Sequence, residues 1–485
     1  MRILTELAPG LKISRIITGL WQIADMERKE ELDSKESAQN LIPYINSELT
    51  TFDMADHYGS SEKIIGELIK KSPNTNIQIL TKWVPKPGKI NKSIVRDAVE
   101  LALKRTNKNS IDLMQYHAWH YPDSSWLDAL FFLEELKNEG LIKHIGVTNF
   151  DSAHLRIACS SGISIISNQV SYSIIDLRAN QSSMVETCKD YGVKLLAYGV
   201  LMGGFLTEKW LNKKEPEASQ LKTWSEMKYK RFIDTACGWD KFQLFLNELK
   251  KVAKINNASI ANICSRYVLD NKIVAGIIIG ARVGQRNHIQ NNLKILDSKI
   301  SNDSMKMLDE EQKNINAIPG GCGDEYRKPP FLTASGDLSH HIEEIPKIFK
   351  VIDNNKLIKK VSSNTVWEKL ASYSRAIKYK DRILVSGTTS TLEDKLIGGA
   401  DAAAQTHFII DKIEASIQSL GGNLNDIIKT RIFIKNLADW EKVAKAHGER
   451  FKGIMPVNTL VQANLIGDEY LVEIEAEAII SDKPK

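Results

Sequence analysis

At 485 residues, with 42% hydrophobic and 26% charged residues, the chain has the composition of a soluble globular protein and the length of two or more domains. Its longest apolar runs, such as VAGIIIG (274–280), are too short to span a bilayer, and the start MRILTELAPGLKISRI lacks the apolar core of an export signal. The net charge of +5 is spread without basic clusters interleaved with aromatics, so neither a nucleic-acid nor a membrane partner is expected.

From Ser14 to about Leu293, short apolar runs alternate with amphipathic helical patterns. The runs are RIITGLWQ (15–22), TTFDMA (50–55), NIQILTKW (76–83), SIDLMQYHAW (110–119), IKHIGVTNF (142–150), SIISNQVSY (164–172), KLLAYGVL (194–201) and AGIIIGAR (275–282). Continuous apolar strands are buried on both faces, and βαβ repetition implies a parallel sheet. Eight units in about 290 residues is the size of a (β/α)₈ barrel, with a doubly wound open sheet as the alternative. Nearly every strand ends in something polar or aromatic: Trp21, Asp53, Lys82, His117, Asn149, Gln169, Tyr198 and Arg282. In a barrel these would ring the mouth where active sites form. The polar segment 205–256 after the seventh run reads as an insertion arching over that mouth.

Beyond residue 315, NAIPGGCGDEYRKPPFLTASGDLSHH (316–341) is rich in Gly, Pro and Ser and reads as a connector that packs on the barrel. From about Val361 the order becomes ββαβαββ, an α+β domain with helices on one face of a mixed sheet. The expected division is a barrel over 1–315, a connector over 316–360 and an α+β domain over 361–485. The cysteines (Cys159, Cys188, Cys237, Cys264, Cys322) stand singly without a C-x-x-C pair, which fits reduced thiols in the cytoplasm. His57, His120 and the pair His340–His341 do not supply three or four converging ligands, so no metal is expected.

The stretch FDMADHYGSSE (52–62) concentrates the chemistry. Reduction of a carbonyl needs a hydride donor and a proton for the developing alkoxide. Tyr58 can give the proton, and a neighbouring Lys82 ammonium would lower its pKa. Asp53 would balance the buried ammonium, and His117 can donate a hydrogen bond to the carbonyl oxygen. Asp56 and His57 shape the loop, and the Ser60–Ser61–Glu62 step reads as a hydroxyl cap with an early acid. Trp21 and Trp119 suit walls of a substrate pocket.

These residues, with LTKW, IDLMQYHAWHYPD, IGVTNF, SNQVSYS, LLAYGVLMGGFLT and IIIGARVGQRNHIQNNL, make residues 1–315 resemble the aldo-keto reductase family. The resemblance implies a TIM barrel that binds NADPH and a catalytic tetrad of Asp53, Tyr58, Lys82 and His117. It implies that Asn149, after Thr148, and Gln169 hold the nicotinamide carboxamide while Tyr198 stacks on the ring. The backbone of Gly199, Leu201 and Gly203 would follow the pyrophosphate. Arg282 and Asn292, with Gln285, Arg286 or His288, would meet the adenosine end, where two arginines suit a 2′-phosphate and NADPH over NADH. Arg282 equally suits bracing of the last helix. No G-x-G-x-x-G follows a strand, so a Rossmann site is not expected.

The segments SYSRAIKYKDRILVSGTTST, AAAQTHFIIDKIEASIQSLGGNLNDIIKTRIFI, FKGIMPVNTLVQANL and YLVEIEAEAII resemble the Rid superfamily of reactive-intermediate imine deaminases, which implies a homotrimer with clefts between subunits. Deaminating members carry an arginine in a P-A-R turn; here the turn is PVNT and Asn458 takes that place, without a cationic fork. Tyr373, Ser386 and Glu473 match other cleft positions. The leading expectation is an NADPH-dependent reductase of a small-molecule aldehyde or ketone, with a Rid-like domain for trimerisation or ligand binding. The alternatives are a bifunctional protein whose second domain hydrolyses reactive imines, and a nucleotide-binding redox scaffold without turnover.

Overall fold

The computed structural model describes residues 2–354 and 357–480. Eight parallel strands close a barrel: β1 (Ile16–Gly19), β2 (Thr51–Asp53), β3 (Gln78–Trp83), β4 (Ile111–His117), β5 (Ile142–Thr148), β6 (Ile165–Ser171), β7 (Lys194–Tyr198) and β8 (Val274–Gly280). β8 pairs with β1 to complete the ring, Ile277 opposite Ile16 and Gly280 opposite Gly19. Strands β1 to β4 are buried along their whole length, as apolar runs covered on both faces require. An antiparallel hairpin, Leu4–Ala8 with Leu11–Ser14, leads into β1. Its Leu7, Leu11 and Ile13 join Ile17, Leu80, Leu113 and Leu196 in one cluster, which plugs the end opposite the mouth.

The segment after β7 is more than a polar insertion. Short 3₁₀ turns lead to helix Trp224–Ala236, which opens with a Thr223–Glu226 capping box, and then to helix Gly238–Ile255. Phe205, Tyr229, Phe232, Trp239 and Phe242 bury a second apolar cluster there. The one-sided burial of these aromatics ties helix Trp224–Ala236 across the mouth.

A seven-stranded sheet forms the C-terminal domain, in the order 350–354, 358–362, 376–379, 382–389, 472–479, 427–434, 457–462. All neighbours are antiparallel except Ile427–Ile434 with Val457–Gln462, which makes the sheet mixed. Its first strand lies inside the stretch read from sequence as a connector, 316–360, and its second, Ile358–Ser362, begins there and crosses the expected boundary. Helices Ala402–Ser419 and Trp440–Arg450 bury one face through Ile409, Ile413, Ile417 and Val443.

Helix Ala402–Ser419 is buried on its far side too, against barrel helix Ser152–Ser160. Phe408, Ala404 and Ile397 enter the barrel's hydrophobic cluster. Polar links flank them: His154 Nε2 to Asp411 Oδ2 at 3.0 Å, Arg156 to Asp401 at 2.6 Å, and His120 Nε2 to Gln418 Oε1 at 2.8 Å. No helix among the described residues is long and apolar enough to cross a membrane.

Candidate active site

All eight strand-end residues, Trp21, Asp53, Lys82, His117, Asn149, Gln169, Tyr198 and Arg282, line one cavity of about 830 Å³ at the C-terminal ends of the strands. Tyr58, Thr148, Gly199, Leu201, Gly203, Arg286, Asn292 and Trp119 line it as well. Strand register brings this about, because parallel pairing levels the C-terminal residues: Asp53 sits opposite Leu80, Lys82 opposite Gln115, and His117 opposite Thr148.

Lys82 Nζ donates to Asp53 Oδ1 at 2.6 Å and to the Met54 carbonyl at 2.9 Å, and both side chains of the pair are almost fully buried. The ammonium lies 4.8 Å from the centroid of the Tyr58 ring. Burial pulls the Lys82 proton affinity down against the opposing Asp53 charge. The Tyr58 phenol moves opposite to the sequence-based expectation. Burial, then the Asp53 charge, pushes its pKa well above the ordinary value, so a neutral O–H faces the site at neutral pH. The neighbours were legible in sequence; the completeness of their burial was not.

His117 lines the cavity, and its buried Nε2 has no protein partner. Burial, aided by the Arg327 charge, holds the imidazole neutral, well below the usual histidine pKa. Neutral imidazole donates from one nitrogen only, so the tautomer decides its use. The Tyr198 hydroxyl donates to Asn149 Oδ1 at 2.7 Å, which turns the Asn149 amide nitrogen toward His117 Nδ1 at 3.5 Å. An imidazole that accepts at Nδ1 carries its proton on Nε2, toward the cavity. The Thr148 carbonyl, 3.4 Å from the same Nδ1, competes for the opposite tautomer.

Gln169 donates its amide to Asp53 Oδ1 at 2.6 Å and to Gln115 Oε1 at 3.2 Å, which orders the Asp53 carboxylate. Gly199 is left-handed at φ 72°, and a Cβ there would come within 2.1 Å of the Tyr229 hydroxyl, so the loop after β7 lies close on helix Trp224–Ala236. Trp21 packs edge-on against Tyr58 at 4.9 Å and beside Trp224 at 5.4 Å, while Trp119 meets His117 at 4.4 Å. His57 pairs with Asp56 at 2.9 Å. Ser60 does not cap the following helix with its side chain. It turns instead to Glu27, while Glu62 accepts from Thr81 and Arg105. Arg282 Nη1 donates to Gln22 at 3.0 Å and to Asp25 at 3.2 Å, bracing the helix after β1, whereas Arg286 forms no ion pair among the described residues.

Sequence reasoning missed the residues that the connector and the helix over the mouth contribute. Tyr326 reaches in from the connector, its hydroxyl 3.2 Å from the Tyr198 hydroxyl and its ring 5.6 Å from His117. Lys228 donates to the Tyr326 hydroxyl at 2.5 Å. Arg327 donates to the Ala118 carbonyl at 2.9 Å and the Asn149 carbonyl at 2.7 Å while lying over Tyr121. Arg178, in a buried pair with Glu325 at 2.6 Å, anchors the connector. Its Gly/Pro-rich composition signalled a loop but gave no sign of these side chains pointing inward.

In the C-terminal domain, Tyr373 is exposed, the Ser386 hydroxyl donates to the Ser374 carbonyl at 2.9 Å, and Glu473 packs against Gly387. Asn458 donates to Thr430 Oγ1 at 2.9 Å. Buried Arg375, unnoticed in sequence, joins this group by donating to the Ser386 and Gly387 carbonyls at 2.9 and 2.6 Å.

The model of the aldo/keto reductase family matches residues 15–313, and that of the endoribonuclease L-PSP family matches residues 365–480. An NADH-specific methylglyoxal reductase of Escherichia coli is 29% identical over 41% of this chain and 66% of its own. An aldo-keto reductase of Bacillus subtilis is 26% identical over 66% of this chain and 96% of its own. The crystal structure of a thermostable aldo-keto reductase in complex with the inhibitor epalrestat superposes with a TM-score of 0.51 at 27% identity, over 64% of this chain and all of that one. The chain belongs to the aldo/keto reductase family and carries a Rid-type domain after its barrel.

Proposed function

We propose that the barrel reduces a small aldehyde or ketone with NADPH, and that Tyr58 supplies the proton. The observation that carries this reading is the convergence of the Lys82–Asp53 pair, the Tyr58 phenol and the unpartnered His117 Nε2 on one cavity. The cavity fits a dinucleotide: it runs from Tyr58 to Arg286 and Asn292, and the left-handed glycines 199 and 203 let backbone lie along it. A nicotinamide bound there supplies the hydride to the carbonyl carbon. His117 Nε2–H orients and polarises the carbonyl oxygen. The Tyr58 O–H transfers its proton to that oxygen, which gives the alcohol. The Lys82 ammonium stabilises the phenolate left behind, and Asp53 keeps Lys82 charged until the proton is restored from solvent.

Arg286, free of carboxylates among the described residues, supports recognition of a 2′-phosphate and hence NADPH, with His288 and Asn292 beside it. Tyr58→Phe is expected to lower turnover of aldehydes by at least ~100-fold while NADPH still quenches tryptophan fluorescence. A fully active variant would sink the mechanism. Equal kcat/KM with NADH and NADPH would sink the cofactor assignment, for which about tenfold in favour of NADPH is expected.

The C-terminal domain is proposed as a trimerising and ligand-binding module. Asn458 is engaged within its own domain, and the cleft position it occupies carries no guanidinium. Leu384, Ile428, Val457, Val461 and Ile479 are exposed on the sheet, a row of apolar side chains suited to two further copies. Five free thiols fit a reducing, cytoplasmic setting.

A further inference from the structure

A buried ammonium in the cavity wall forms no ion pair among the described residues. Lys228 projects from helix Trp224–Ala236 into the cavity wall with 5% of its surface exposed. Its Nζ donates to the Tyr326 hydroxyl and faces the rings of Tyr326, Tyr198 and Tyr229 at 4.4, 5.2 and 5.6 Å. Among the described residues it forms no ion pair. Neither nearby acid closes an ion pair with it: Glu325 Oε2 accepts from Arg178 at 2.6 Å while its buried Oε1 has no hydrogen-bond partner among the described residues and feels the Lys228 charge, and Asp337 Oδ2 accepts from the Ala334 amide at 3.1 Å. An ammonium has three donors, and one is used. Aromatic faces offset part of the desolvation of a buried cation but do not replace an anion.

The position matters as much as the charge. The Tyr326 ring stands 5.6 Å from His117 and 4.4 Å from Lys228 Nζ, which bounds the separation of ammonium and imidazole at 10.0 Å. A carbonyl held by His117 and Tyr58 therefore has Lys228 within reach of a short chain, about two to four carbons at ~1.5 Å per bond.

We infer that Lys228 recognises a carboxylate on the substrate, so that the barrel's substrates are short-chain oxo acids. The inference rests on the reductase reading and deepens it. One unpaired cation balances one negative charge, and Asp337 on the same wall repels a second, which favours a carboxylate over a phosphate ester.

The test compares kcat/KM for 4-oxobutanoate and its methyl ester, and for glyceraldehyde 3-phosphate and glyceraldehyde, in the full-length protein and in Lys228→Met and Lys228→Arg. The wild type is expected to favour 4-oxobutanoate over its ester by ~30-fold, mainly in KM. Lys228→Met brings that ratio near one, and Lys228→Arg retains part of it. A ratio within one variant is independent of the fraction that folds. The inference is overturned by a wild type that treats acid and ester alike, by a preference that survives Lys228→Met, or by a stronger preference for the phosphate ester. It is also overturned if Lys228→Met weakens NADPH binding and slows both substrates equally, which would make Lys228 a cofactor ligand. Reduction of the ester without preference for the acid removes this inference alone. Failure to reduce any of the four removes the reductase reading with it.

Discussion

Replacing Asp53 with Asn isolates the ion pair on which the proposed chemistry is built. The side chains of Lys82 and Asp53 are 3% and 5% exposed, with Nζ and Oδ1 2.6 Å apart. Asparagine keeps the shape and still accepts a hydrogen bond, but it cannot balance the ammonium. If Lys82 stays charged, breaking a buried pair costs about 3–5 kcal/mol. If it sheds its proton instead, the gap of about 3.5 pH units from the ordinary lysine value of 10.5 to neutrality, at ~1.4 kcal/mol per unit, caps the loss near 5 kcal/mol. The first route predicts a loss of about 3–5 kcal/mol at pH 7, and the second keeps it from exceeding about 5 kcal/mol. At pH 9 the cap falls to ~2 kcal/mol, because the lysine neutralises more readily. The double variant Asp53→Asn/Lys82→Met removes both charges and should recover to within about 1 kcal/mol of wild type. Urea unfolding followed by tryptophan fluorescence reads this in the barrel, since seven of the nine tryptophans precede residue 316. A loss below about 1 kcal/mol at pH 7, or a double variant no more stable than the single one, would refute the reasoning.

Two further outcomes concern the second domain. His154 lies between Asp151 at 2.7 Å and Asp411 at 3.0 Å; burial alone would lower its pKa, but the two carboxylates raise it above the ordinary value. Its contribution to holding the domains together is full below about pH 6.5 and fades as pH rises through the raised value, by ~1.4 kcal/mol per unit of elevation. Thermal melts at several pH values should show that slope in wild type and a flatter one in His154→Gln; identical slopes would remove His154 from the interface energetics. Light scattering should give three times the 54.5 kDa chain mass, and Leu384→Glu, which places a charge on the open sheet face, should give the single-chain mass. A monomeric wild type would exclude the trimer.

The barrel and its ring of strand-end residues were legible because parallel pairing turns a sequence rhythm into a spatial one: the last residue of each buried run must arrive at the same level. Asp53, Lys82 and His117 follow that rhythm, and Tyr58 follows the first of them within one loop. Lys228 and Tyr326 do not. A lysine in an amphipathic helix reads as a solvated charge, and a tyrosine among Gly and Pro reads as loop. Only tertiary packing turns them inward. Arg375 was hidden for the same reason, since an arginine that opens a strand gives no sign of donating to carbonyls across it. Arg282 left two roles open in sequence, and the Asp25 contact that favours bracing joins elements more than 250 residues apart.

The connector has a mechanical consequence. A tether between domains ordinarily tolerates changes in length, because nothing depends on where its residues fall. Here the family match stops at residue 313, yet Tyr326 and Asp337 beyond it wall the cavity, and by Lys350 the same chain is already a strand of the second sheet. Residues added to or removed from this tether would shift the pocket wall relative to the strand ends that form its floor. A barrel cut free at the end of the match would lose that wall, so the two domains share a fixed register along the polypeptide as well as a packed face.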